Sequence, residues 1–132
     1  MSHSTQTLSR AQMGRVSILA LLLWMSGAIL IRLLTPLGVF SGGVLTVLAF
    51  AGGVAFNWPT IWLVERLGGL RRSQIVAGMA LGSGVAVMCD GLALTWAPWL
   101  YGGVSEDLSR AAAWLLWTVG VGLVLAFILE RR

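Results

Sequence analysis

Long apolar runs alternate with short polar breaks along this chain, and there are four such runs. They cover about 16–34, 39–64, 74–97 and 111–129, the first stopped by Thr35-Pro36 and the third by Ala97-Pro98. About 20 helical residues at ~1.5 Å each cross a hydrocarbon core ~30 Å thick, and every run meets that length. A membrane strand needs only ~10 residues of alternating polarity, and no run alternates. The pattern predicts an all-α fold, a bundle of four transmembrane helices. Residues 1–15 read as a polar, loosely ordered tail and 16–132 as a single transmembrane domain. Arg10 and Arg15 precede the first run as they would in a signal peptide. That run is long and no Ala-x-Ala-like site follows it, so it reads as an uncleaved helix.

Composition narrows the chemistry. Of 132 residues, 58% are hydrophobic and 11% charged, against about 25% charged in soluble domains, and the mean hydropathy is +0.88. A water-soluble enzyme, a disulfide scaffold and a conventional nucleic-acid binder are excluded. The single cysteine, Cys89, leaves no intrachain disulfide or Cys-based metal site. The single histidine, His3, lies in the tail, so the apolar runs offer no axial haem ligand, and no cofactor is expected. The basic excess is all arginine and gives a net charge of +4. These arginines flank apolar runs, which points to anionic lipid headgroups rather than nucleic acid.

Arginine placement predicts the orientation. Arg10, Arg15, Arg66, Arg71, Arg72, Arg131 and Arg132 fall on one side of the bundle, and Arg32 and Arg110 on the other. By the positive-inside rule both termini and the 65–73 loop are cytoplasmic. The loop around Phe40 and the 98–110 loop, with Glu106 and Asp107, lie outside. Six tryptophans fit an interfacial belt: Trp58 and Trp62 inside, and Trp96, Trp99, Trp114 and Trp117 outside, joined by Tyr101. Trp24, near mid-membrane, is expected to pack against a neighbouring helix.

Small residues recur at helical spacing. Gly78, Gly82, Ala86, Asp90 and Ala93 share one face of the third helix, and Gly78 to Gly82 is a literal GxxxG. Ala49, Gly53 and Asn57 share a face of the second, and Gly122 and Ala126 mark the fourth. Such rows let helix backbones approach closely, within the chain or against another membrane protein.

Arg32, Asn57 and Asp90 are the strongly polar side chains inside the runs. An intramembrane charge costs about 2.5–3.5 kcal/mol on insertion scales, so it needs a partner or a purpose. Asn57 precedes Pro59, which lacks an N–H for the Ala55 carbonyl and should kink or loosen the helix. Asn57 is expected to satisfy backbone groups there or on a neighbouring helix. Arg32 lies ~4.5 Å and Asp90 ~10 Å below the outer ends of their helices, at 1.5 Å per residue. Because side chains lean towards the helix N-terminus, Arg32 leans towards Asp90, and a buried ion pair is expected. No nucleophile–base set and no second intramembrane acid accompanies Asp90, so no enzyme is expected.

The first helix carries Trp24 and then Arg32, and the third carries Gly84 and Asp90 before Pro98 and Tyr101. The fourth opens Ala112-Ala113-Trp114-Leu115-Leu116-Trp117. From about Leu21 to Leu129 this resembles a family of small bacterial four-helix membrane proteins catalogued only as a domain of unknown function. The second helix is richer in glycine than that pattern. The resemblance implies four helices in a bacterial inner membrane and singles out Arg32 and Asp90, but it implies no activity. Drug exporters of similar length carry an essential acid in their first helix, and this first helix has none. The function expected is an accessory or structural subunit that docks on other membrane proteins, or on its own copies, through small-residue faces. The alternative is a small dimeric transporter or proton-coupled carrier using Asp90.

Overall fold

A computed structural model describes residues 7–132 of the chain; part of the N-terminal tail, with His3, lies outside the described residues. Among the described residues there are four α-helices: α1 (Arg10–Leu34), α2 (Val44–Gly68), α3 (Ile75–Trp96) and α4 (Leu108–Arg131). Single 3-10 turns, Thr35–Leu37, Arg72–Gln74 and Pro98–Tyr101, sit in the three connections. All four helices are long and apolar enough to cross a membrane. Only 17–22% of the residues in their most apolar windows are buried inside the protein. Most of the rest are partly or fully exposed and many are large and apolar, such as Ile18, Leu22, Phe56, Met88 and Leu116, the reverse of a soluble bundle.

α1 starts at Arg10, earlier than the apolar run, and this corrects the loose tail. Ser9 is the N-cap of a capping box: its hydroxyl accepts from the Gln12 N–H, and the Gln12 side chain accepts from the Ser9 N–H. Gln12 also donates to the Gly69 carbonyl and to Gln74 Oε1. Gln74, 2% exposed, donates in turn to the Thr7 carbonyl and the Gln12 side chain, and accepts from the Arg71 N–H. Two glutamines thus pin the start of α1 to the α2–α3 connection with every buried polar atom satisfied.

α2 starts at Val44 rather than near 39, because Gly38 and Gly42 take left-handed φ of 76° and 93° and hold a turn. That turn buries Phe40 completely, its ring 5.9 Å from that of Trp114. At the other end α2 runs to Gly68 and closes on left-handed Gly69. The Gly69 N–H donates to the Arg66 carbonyl and the Leu70 N–H to the Glu65 carbonyl, a Schellman cap. α2 is continuous through Pro59 rather than broken.

Consecutive helices alternate in direction, but they do not pack in chain order. α1 lies against α3, α3 against α4, α4 against α2, and α2 against α1, so α1 and α3 are parallel neighbours. The α1–α3 seam is thin at Gly82, where an added Cβ would touch Val16 and Ala20. The α2–α4 seam is thin at Gly53, against Thr118 and Trp114, and at Gly122, against Asn57. Gly78 leaves room for Leu70, whose side chain an added Cβ would overlap. These small residues are therefore occupied by packing within the chain.

The core forms two layers. One, at the arginine-rich end, joins Val16, Ile61, Val64, Leu70, Ile75, Met79 and Ala126. The other, at the opposite end, joins Ala28, Ile31, Phe40, Ala93, Tyr101, Ala111 and Trp114.

Candidate functional site

Between the two layers the helices do not close on each other. A crevice of about 140 Å³ lies there, with a wall from each of the four helices. It runs from the level of Met79 to that of Asp90, 11 residues of α3, or about 16 Å at the helical rise. Its walls are mostly apolar, with Asn57, Thr60, Ser83, Asp90 and Thr118 as the polar exceptions.

Asp90 stands at one end of the crevice. It shares the inward face of α3 with Gly78, Gly82 and Ala93, as the small-residue row requires, and it is 8% exposed. Its partner is Tyr101, whose hydroxyl donates to Asp90 Oδ1 at 2.5 Å. The Tyr101 hydroxyl in turn accepts from the Trp24 indole N–H at 3.1 Å. The chain reaches this geometry by ending α3 at Trp96 and turning through Pro98, which folds Tyr101 back into the bundle at 1% exposure. Left-handed Gly102, with φ of 100°, closes the turn directly over the Arg32 backbone. Burial raises the pKa of the Tyr101 phenol above its ordinary value, and the hydrogen bond to Asp90 raises it further. Tyr101 is therefore a neutral donor at any physiological pH.

The expected Arg32–Asp90 pair is not formed. Arg32 is exposed, and among the described residues the one ion pair joins Arg110 to Asp107 at 3.6 Å. α1 and α3 are neighbours, but their register sets Trp24 at the level of Asp90 and Tyr101, which leaves Arg32 eight residues, or about 12 Å, further along α1. Tyr101 occupies the carboxylate with a neutral group, whereas Arg32 would have had to bring a second charge out of a polar environment. An arginine at the end of an apolar helix keeps its charge at the surface instead.

Asn57, deeper along the crevice wall, behaves as expected. It is 6% exposed, and its amide donates to the Gly53 carbonyl on its own helix and to the Thr118 carbonyl on α4. Among the described residues, neither Asn57 Oδ1 nor Asp90 Oδ2 accepts a hydrogen bond. Neither atom is sealed from the crevice.

The belt splits in two. Trp58, Trp62, Trp96 and Trp99 are exposed, with the Arg66 guanidinium stacked over the Trp62 ring at 5.7 Å. Buried Trp114 and exposed Trp117 donate to the Ala49 and Phe50 carbonyls at 2.8 and 2.9 Å, clamping α4 to α2. An indole N–H facing a helix has no water to bond, so it takes a backbone carbonyl.

Sequence reasoning paired Asp90 with Arg32 and missed its partner Tyr101, which it counted with the interfacial aromatics. Its signal was there: the chain's one tyrosine follows Pro98 in the first turn after the helix that carries Asp90. The hydroxyls of Thr60, Ser83 and Thr118 were also missed, since serine and threonine are common in apolar helices. Among the described residues no three His, Cys, Asp or Glu side chains converge as a metal-ligand set. No family model, curated protein or solved structure matches the chain.

Proposed function

We propose that the chain is a small multi-pass carrier of the bacterial inner membrane, with both termini cytoplasmic, whose solute site is the crevice at Asp90. One observation carries this reading: a carboxyl group buried among four apolar helices lines a cavity they share, held by the Tyr101 hydroxyl and with no described cation paired to it. A purely structural carboxylate in hydrocarbon is expected to have all its acceptors engaged. The arginine-rich end supports the orientation. The resemblance to the four-helix family of unknown function rests in part on Trp24, Asp90 and Tyr101, the three residues joined at the site. Four helices enclose little space, so a working carrier is expected to be a dimer.

The test is a proteoliposome loaded with a pH-sensitive dye and offered a panel of small solutes of each charge. A carrier gives a solute-driven pH change in at least one case, and Asp90→Asn loses it. Panels indistinguishable from empty liposomes across all solutes would remove the reading.

A second reading, an accessory subunit that docks on another membrane protein, is favoured by the outer face of α3. Ala80, Gly84 and Gly91 are exposed there, with open space around both glycines. Gly53, Gly78 and Gly82, the residues first expected to dock, are engaged inside the chain. Crosslinks from Gly84→Cys to one defined partner in native membrane would support this reading, and crosslinks only between copies of the chain would oppose it.

A further inference from the structure

We infer that the crevice selects a compact organic ammonium cation bearing N–H donors, seated with its charged end on Asp90. The inference rests on the carrier reading for its biological purpose, but its chemistry comes from the donor and acceptor inventory of the walls.

Nearly every donor on those walls is already engaged. Both amide hydrogens of Asn57 go to carbonyls, at Gly53 and Thr118. The Trp114 indole donates to the Ala49 carbonyl and the Trp24 indole to Tyr101. The Thr60 and Thr118 hydroxyls donate to carbonyls of their own helices, at Phe56 and Leu115. Tyr101 donates to Asp90. What the crevice still offers is acceptors: Asp90 Oδ2 towards one end, Asn57 Oδ1 deeper in, and the lone pairs of the wall residues Thr60 and Thr118. Ser83 alone keeps an uncommitted hydroxyl among these groups. A guest that brought only acceptors would leave these oxygens unsatisfied, and such a mismatch is heavily disfavoured in a buried site.

Charge points the same way. Asp90 is the one ionisable side chain on the crevice wall, and no described cation pairs with it. Its negative charge is answered either by a proton or by a cationic guest. The rings of Trp24 and Trp114 form part of the same wall, and indole faces attract cations. Size sets the last limit. A cavity of 140 Å³ is close to the ~150 Å³ that holds a benzene molecule. A short alkylammonium fits and a bulky lipophilic cation does not.

The experiment titrates the full chain in detergent with four probes of similar size: n-butylammonium, 1-butanol, butyrate and tetramethylammonium. Tryptophan fluorescence and thermal unfolding report binding. n-Butylammonium is expected to bind saturably, at least about tenfold more tightly than each of the others. Tetramethylammonium carries the charge without an N–H, so its weakness isolates the donor requirement. Asp90→Asn keeps an oxygen for Tyr101 and should lose about tenfold or more of the n-butylammonium affinity. If that variant fails to fold, the four-probe ranking on the unaltered chain decides. Equal binding of 1-butanol and n-butylammonium, or a preference for butyrate, overturns the inference. Ammonium binding without any solute-driven pH change in proteoliposomes overturns the carrier reading and leaves the ligand class standing. A pH change driven by an uncharged or anionic solute does the opposite.

Discussion

A carboxyl group held by a phenol rather than by a guanidinium gains a hydrogen-bond donor but no counter-charge. That is the chemical consequence of Tyr101 standing where an arginine was expected. Tyr101→Phe removes the donor to Asp90 and the acceptor for the Trp24 N–H together. It is expected to lower stability in detergent by about 1.5–3 kcal/mol, the range for a hydrogen bond to a charged group. Arg32→Ala, at an exposed site, should stay within about 0.5 kcal/mol of the unaltered chain. Equal losses from the two would restore an Arg32–Asp90 pair. The same tyrosine offers a direct titration, since the chain has only one. Its folded pKa lies above the ordinary 10.0, through burial first and Asp90 second. The folded state therefore holds the phenolic proton more tightly than the unfolded one does. The stability this contributes is fully present below the ordinary value and is lost as pH rises from there through the folded value. Tyrosinate absorbance should accordingly appear at higher pH in the folded protein than in the denatured one. Coincident titrations would mean that Tyr101 is not buried against Asp90.

At the scale of elements, apolar length sufficed to find four helices, and local polar geometry decided where they start and stop. α1 gains its first turns from Ser9 and Gln12, a capping pair that hydropathy does not register. α2 loses its first residues to a turn held by Gly38 and Gly42, which apolar neighbours disguise as helix. Small-residue rows were legible, and so was the face of α3 that turns inward. Their partners were not, because a glycine row does not name the side chain that fills it. Gly122 and Gly84 separate the two uses. An added Cβ at Gly122 would meet Asn57 Oδ1 at 2.5 Å and Met79 Cε at 3.4 Å, whereas nothing lies within 4 Å at Gly84. Gly122→Ala is expected to destabilise by about 1–3 kcal/mol, as overpacking does. Gly84→Ala should be neutral or stabilise by up to about 1 kcal/mol, since it removes glycine's freedom in the unfolded chain. Thermal unfolding of the two variants in one detergent checks both, and an equal loss at Gly84 would place that face against protein.

For the whole molecule, charge separation along the bundle was legible and helix order around it was not. Arginines count towards an end of the molecule wherever the helices pack, so their segregation survives any arrangement. Neighbour relations depend on side-chain fit, and the parallel contact of α1 with α3 follows from Gly82, Val16 and Ala20 together. The orientation proposed above has a simple check. A reporter fused after Arg132 is expected to read cytoplasm and one inserted near Gly103 to read outside. A C-terminal signal from outside would reverse every depth assigned to the bundle. The crevice belongs to this scale as well, because it exists only where four walls fail to meet between two packed layers. Its openness to solute is the central claim, and thiol reactivity measures it most directly. In a chain with Cys89→Ala, Ser83→Cys puts a thiol on the crevice wall and Gly120→Cys puts one on the outer face of α4. A small cationic methanethiosulfonate applied to membranes is expected to modify the Ser83→Cys chain and spare the Gly120→Cys chain, with n-butylammonium slowing the first reaction. Two unreactive thiols would contradict the account, for the crevice would then be closed to any solute.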